Sequence, residues 1–234
     1  MLFRFPHSSW LPACRRLLLL LPALVLAAGL SARSLVKADV QLANNAVLAM
    51  YQDEDANMWI GTYDGLHLYN GKNTFVFRME LDNEFSLCSN IVLEIAPAEK
   101  GYLWVATSLG INKFSLRERR VVESYMQYVD VENIASDSEG NTVLFSGEDF
   151  ITCYRPGRAF FEDVYIPGVR AAEIVAVWSE APRVFCTLGR DGELVRYRLN
   201  DGEGKSLVRV SGRQLSARPV RKAFFNGGRL HFVD

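Results

Sequence analysis

The stretch NMWIGTYDGLHLYNGKNTFVFR, residues 57–78, decides the fold although it carries almost no reactive chemistry. Within it MWIGT (58–62), LHLYN (66–70) and TFVFRM (74–79) are short runs rich in β-branched and aromatic residues, and VLAMY (47–51) lies just ahead. Polar turns bound each run, so each predicts a strand. Asp64-Gly65 reads as a two-residue hairpin turn between the second and third strands, where positive φ favours Asp or Asn before Gly. No apolar period of 3.6 persists after residue 39. The unit is a four-stranded antiparallel meander.

The unit recurs. Setting MWIGTYDGLHLYN (58–70) above LWVATSLGINKFS (103–115) brings Trp59, Thr62 and Gly65 onto Trp104, Thr107 and Gly110 at one constant offset. A further copy, VFCTLGRDGELVRYR (184–198), repeats Thr187 and the Asp191-Gly192 turn with one residue inserted. A degraded copy, NTVLFSGEDFITCYR (141–155), lies between them. Val143 and Val184 stand where the tryptophan is expected. DEDAN (53–57) and DSEGN (137–141) open their units alike, with Ala56 in place of a turn glycine. Repeats of four strands at roughly 40 to 45 residues predict an all-β chain, a β-propeller of four-stranded antiparallel blades. The blades read as about 44–80, 88–128, 130–168 and 172–212, and the start of a fifth at 219–234 contains an Asn226-Gly227-Gly228 turn. About four and a half blades are thus present, an incomplete propeller. An open ring would expose strand edges, so the reading expects a fragment of a longer protein or self-association.

Charge and composition narrow the function. A net charge of −1 gives no basic face for nucleic acid. Arg4, Arg15 and Arg16 precede the uncharged run LLLLLPALVLAAGL (17–30), which is too short for a spanning helix. The pattern predicts a signal peptide over 1–38, cleaved after Val36-Lys37-Ala38, and a propeller region over 39–234. Export would put Cys88, Cys153 and Cys186 in an oxidising compartment, where at most one disulfide could form.

The segments MYQDEDANMWIGTYDGLHLYN and NIVLEIAPAEKGYLWVATSLGINKF resemble the two-component regulator propeller repeat, in which an apolar strand and an Asp-x-x-Gly turn precede Leu-Trp-Ile-Gly-Thr and Gly-Leu. The resemblance implies the N-terminal extracytoplasmic sensor region of a hybrid two-component sensor histidine kinase of the Bacteroidetes type. It implies an exported, periplasmic location, an oligosaccharide ligand and a sensor dimer. Membrane attachment would come through the signal peptide or a C-terminal span beyond these residues, and any kinase would lie there too.

Reactive constellations are weak. ATSLG (106–110) mimics a nucleophile elbow at Ser108, but a strand follows instead of a helix, and only His67 and His231 offer a base after residue 39. Asp53, Asp55, Asn57 and Asp64 have the alternate spacing of a calcium loop, yet Met58 stands where the sharp turn needs Gly. The acids therefore read as a solvated turn, with no metal, no cofactor and no catalytic residue assigned. SDSEGNTV (136–143) faintly resembles the Asp-box turn of sialidase-type propellers, with Ser138 where Asp belongs. Turns between second and third strands should emerge on one face, carrying Tyr63, Asp64, Ser108, Leu109, Glu148, Arg190 and Asp191. Of these Tyr63, Asp64, Arg190 and Asp191 are the candidate ligand-binding residues, while Trp59, Thr62, Gly65, Trp104, Thr107, Gly110, Thr187 and Gly192 form the structural repeat. A binding module is the favoured reading. Its rivals are an exported lyase or glycosidase using Asp64, Glu148 and Asp191 from different blades, and a protein-interaction scaffold.

Overall fold

The computed structural model describes residues 40–125, 131–146, 150–157, 160–166, 168–200, 207–226 and 228–234. The signal-peptide reading of 1–38, Glu148 and Gly227 lie outside the described residues. Sheet one holds β1 (Val47–Gln52), β2 (Met58–Thr62), β3 (Gly65–Tyr69) and β4 (Thr74–Phe77) in sequence order. Sheet two repeats this with β5 (Val92–Pro97), β6 (Tyr102–Thr107), β7 (Gly110–Ser115) and β8 (Arg120–Tyr125). Sheet three has β9 (Val131–Ser136), β10 (Thr142–Ser146), β11 (Ile151–Tyr154) and the two-residue β12 (Glu162–Asp163). A 3-10 turn at Ala171–Glu173 leads into sheet four, β13 (Ile174–Ala181), β14 (Val184–Gly189), β15 (Glu193–Leu199) and β16 (Leu207–Gln214). The hairpin of β17 (Lys222–Asn226) and β18 (Arg229–Val233) follows. Every pairing is antiparallel, and the first strands of successive sheets lie beside one another. This is the propeller arrangement, with its ring open.

The core lies between sheets. Trp59, Leu66 and Leu68 of sheet one pack with Leu103, Val105 and Phe114 of sheet two. Trp104 then packs with Leu144, Tyr154 and Phe161 of sheet three. Val143, Phe145 and Cys153 meet Phe185, Val195 and Tyr197 of sheet four, and Trp178 meets the β17–β18 hairpin, stacking on Phe225 at 5.0 Å. Burying each large apolar side chain contributes about 2–3 kcal/mol, so a blade is stable only against its neighbours. The two signature tryptophans are equivalent, since Tyr51 pairs with Trp59 and Ala96 with Trp104 across the first hairpin of each sheet.

Hydrogen bonding explains the repeated acidic turn. Asp53 Oδ1 accepts the amides of Asp55 (3.0 Å) and Asn57 (2.8 Å), and Oδ2 accepts Asn57 Nδ2 (3.0 Å) and the Trp59 indole (2.9 Å). Asp137 does the same for Glu139 and Asn141, and also accepts the Arg183 amide of sheet four at 2.7 Å. The half-buried Asp53 is thus an anchor, not the solvated acid that its spacing suggested. Burial alone would raise its pKa, but the Asn57 and Trp59 donors outweigh that and hold it below the usual carboxylate value.

Three local expectations change. The first turn consists of Tyr63 and Asp64, because Thr62 pairs with Gly65, and the positive φ of +108° belongs to Gly65. A Cβ there would come within 2.5 Å of the Phe77 carbonyl, so that position excludes a side chain. In sheet four the tryptophan position is Cys186, opposite Trp178, and not Val184. The equivalent of Thr62, opposite Ile174, is Gly189, and Thr187 occupies the place of Val105. The insertion after Thr187 had shifted the apparent alignment by two residues. Cys88, Cys153 and Cys186 are free thiols, the last two buried.

Candidate functional site

The turns between second and third strands share one end of their sheets. Each touches the segment leading into a first strand: Gly65 N–H donates to Asn90 O (2.7 Å), Ser108 N–H to Ile91 O (3.0 Å) and Arg190 N–H to Glu173 O (2.7 Å). In the first two turns the threonine hydroxyl closes the hairpin, Thr62 Oγ1 donating to Gly65 O and Thr107 Oγ1 to Gly110 O. Tyr63 is 52% exposed. Asp64 beside it receives both Nε and Nη2 of Arg78 at 3.0 Å. That bidentate bond lowers its pKa. Ser108 Oγ lies 2.8 Å from Ser89 Oγ, and His67 Nε2 accepts the Ala43 amide at 3.0 Å. Neither pairs with the other, so the elbow-like ATSLG is an ordinary hairpin.

The fourth sheet builds something different. Leu188 pairs with Leu194, so its turn is longer, and it closes through Gly192 N–H to Gly189 O (2.9 Å). A Cβ at Gly189 would come within 2.5 Å of Asp191 Oδ1, so a side chain there would displace that carboxylate. Arg190 and Asp191 stand on this turn, Arg190 Nε reaching Glu173 at 3.4 Å and Asp191 Oδ1 accepting the Glu193 amide at 2.9 Å. Between this turn, the face of β15 and the segment from Gly168 to Glu173 lies a cavity of about 350 Å³. Asp191, Glu193, Glu173, Arg170 and Arg209 surround it, and Thr187, Val195 and Tyr197 line it. Of the candidate residues Asp191 lines this cavity, Arg190 beside it pairs with Glu173 of the lining, and Tyr63 and Asp64 belong to sheet one. The sequence could not show this cavity, which depends on the two-residue offset of Thr187 and on the connection from sheet three.

Residues 41–64 match the family model described as Two component regulator propeller. This segment is similar to the two component regulator propeller repeat. It reaches upstream of β1 to the residues whose Ala43 amide caps His67, and the same arrangement returns where the Cys88 amide donates to Asn112 Oδ1 (3.1 Å). Among curated proteins none matches the chain. Among solved structures, the extracellular domain of a hybrid two component system from B. thetaiotaomicron aligns with TM-score 0.58 and 19% identity, over 82% of this chain and 28% of that one. PorZ, a surface component of the type-IX secretion system of Porphyromonas gingivalis, aligns with TM-score 0.55 and 13% identity, over 77% and 24%. U3-55K aligns with TM-score 0.54 and 12% identity, over 70% and 51%. The chain thus spans about a quarter to a half of the length of these structures. At such identities the likeness is one of fold, and the family likeness is confined to residues 41–64.

Proposed function

We propose that this region is the extracytoplasmic ligand-sensing part of a two component signalling protein, exported by residues 1–38 to the periplasm and responding to an oligosaccharide. The observation that carries the reading is the match of residues 41–64 to the two component regulator propeller. The fold shared with the extracellular domain of a hybrid two component system supports it. On a rigid array of packed sheets the turns are free to serve recognition. The exposed Tyr63 is suited to packing against a sugar, and Asp64 and Arg190 offer hydrogen bonds suited to sugar hydroxyls. Signalling would follow from different affinities of the ligand for two arrangements of paired sensors.

The reading is tested by titrating the purified protein with plant and host oligosaccharides in a calorimeter and assaying the same mixtures for cleavage. Heat of binding without new reducing ends or unsaturated products is expected. Turnover would replace the sensor with a lyase or glycosidase.

A further inference from the structure

The cavity beside sheet four contains a feature that sheet packing does not need. Thr187 is 1% exposed, and the side chain of Tyr197, which also lines the cavity, approaches its Oγ1 without a well-formed hydrogen bond. Its place is taken by Val105 in sheet two and Ile60 in sheet one, opposite Ile95 and Met50 as Thr187 is opposite Val177. A buried hydroxyl so poorly satisfied is costly, and here it lines a cavity large enough for a small molecule.

The charges around the cavity are arranged with two unused ends. Glu173 is held by Arg190 at 3.4 Å and Arg170 at 3.8 Å. Arg209 gives Nη2 to Glu193 Oε1 at 2.5 Å, and among the described residues no other bond is recorded for its guanidinium. Asp191 binds only its own turn through Oδ1, with no cation paired to it among the described residues. The lining therefore offers a carboxylate able to accept an ammonium, a guanidinium with free donors able to hold a carboxylate, and a buried hydroxyl between apolar Val169, Ile174 and Val195.

We infer that this cavity is a binding site for a small zwitterion of the amino-acid class, with its ammonium on Asp191, its carboxylate on Arg209 and its apolar side chain over Val169, Ile174 and Val195. Thr187 Oγ1 supplies the remaining hydrogen bond. The inference is independent of the signalling role and gives Asp191 a ligand other than an oligosaccharide.

The test is calorimetric titration of the full chain with the individual L-amino acids at millimolar concentration, with maltose as an uncharged sugar control. Saturable heat is expected from at least one apolar amino acid and not from maltose. Asp191→Asn should weaken that binding about tenfold or more, since a charge-assisted bond becomes a neutral one. Thr187→Val should also weaken it while keeping the fold, because valine already fills the equivalent place in sheet two. Absence of heat from every amino acid, or undiminished binding by folded Asp191→Asn, would overturn the site. Heat from maltose lost in Asp191→Asn would overturn it too, and would return the residue to the oligosaccharide reading.

Discussion

Trp104 Nε1 donates to Thr142 Oγ1 at 2.8 Å across the boundary between sheets two and three, whereas the equivalent Trp59 donates to Asp53 within its own sheet. One repeat position thus fastens a turn in one blade and the next blade in the other. Trp104 also meets Tyr154 and Phe161 edge-on, with centroids 5.0 and 5.3 Å away. Trp104→Phe keeps an aromatic ring and removes the donor, while Thr142 keeps its bond with Ser136. The expected loss is about 1–2 kcal/mol, against about 3–5 kcal/mol for Trp104→Ala. Urea midpoints at constant slope measure both.

Ala56 adopts φ +62° at the turn position where the matching unit has Gly140 at +84°. A left-handed conformation costs an L-residue roughly 1–2 kcal/mol. Ala56→Gly should therefore raise stability by about 1 kcal/mol, after allowing for the greater freedom of glycine in the unfolded chain. Gly140→Ala should lose more, because its Cβ would also come within 3.1 Å of Glu99 Cβ and Pro156 Cγ. Opposite shifts of the thermal midpoint for the two substitutions are the expected outcome, and shifts of the same sign would refute the strain argument.

These two positions show why the blades could be read in the sequence and the cavity could not. Trp59, Trp104, Thr62 and Thr107 are side-chain solutions to a problem that each blade meets, so they recur as letters. The bulges that skip Leu48, Leu93, Glu132 and Val175 in the first strands are backbone features carried by dissimilar residues. Likewise the amides of Ala43 and Cys88 make equivalent bonds to His67 and Asn112, donors that no side-chain pattern reveals. Thr187 sits two residues out of register with Thr62 and Thr107 because the longer turn after it keeps the residue type while moving the register. The free ends of Asp191 and Arg209 emerge only from knowing which acids the other arginines occupy.

Lys113 is 5% exposed, forms ion pairs with Glu99 and, at 3.5 Å, Glu123, and lies 5.1, 5.8 and 5.5 Å from the ring centroids of Tyr102, Trp104 and Tyr154. Burial favours the neutral amine, but Glu99 outweighs it and raises the lysine pKa. Lys113→Met retains the stem and leaves Glu99 without its cation, so a loss of about 3 kcal/mol is expected. The double variant Lys113→Met, Glu99→Gln should recover most of it. A double-mutant cycle by denaturant unfolding measures the coupling. No recovery would show that the aromatic contacts, not the ion pair, hold the lysine.

Glu94 pairs with Ala106 at the place taken in sheet three by Asn133, which donates to the Ile174 carbonyl of the next sheet at 2.9 Å. Burial raises the Glu94 pKa to about 7, only partly countered by the Ile95 amide. Unfolded, the carboxyl titrates near its ordinary value, so between that value and about 7 the folded state holds a proton that the unfolded state has lost. The contribution is fully present below the unfolded pKa and is lost as pH rises through the folded one. Across that window stability should fall by about 2–3 kcal/mol. Glu94→Gln keeps the shape of the side chain without a titrating proton, so it should remove this part of the pH dependence. Urea unfolding of both proteins from about pH 5 to about pH 8 decides the matter. Equal slopes of stability against pH in the two would place the titration elsewhere.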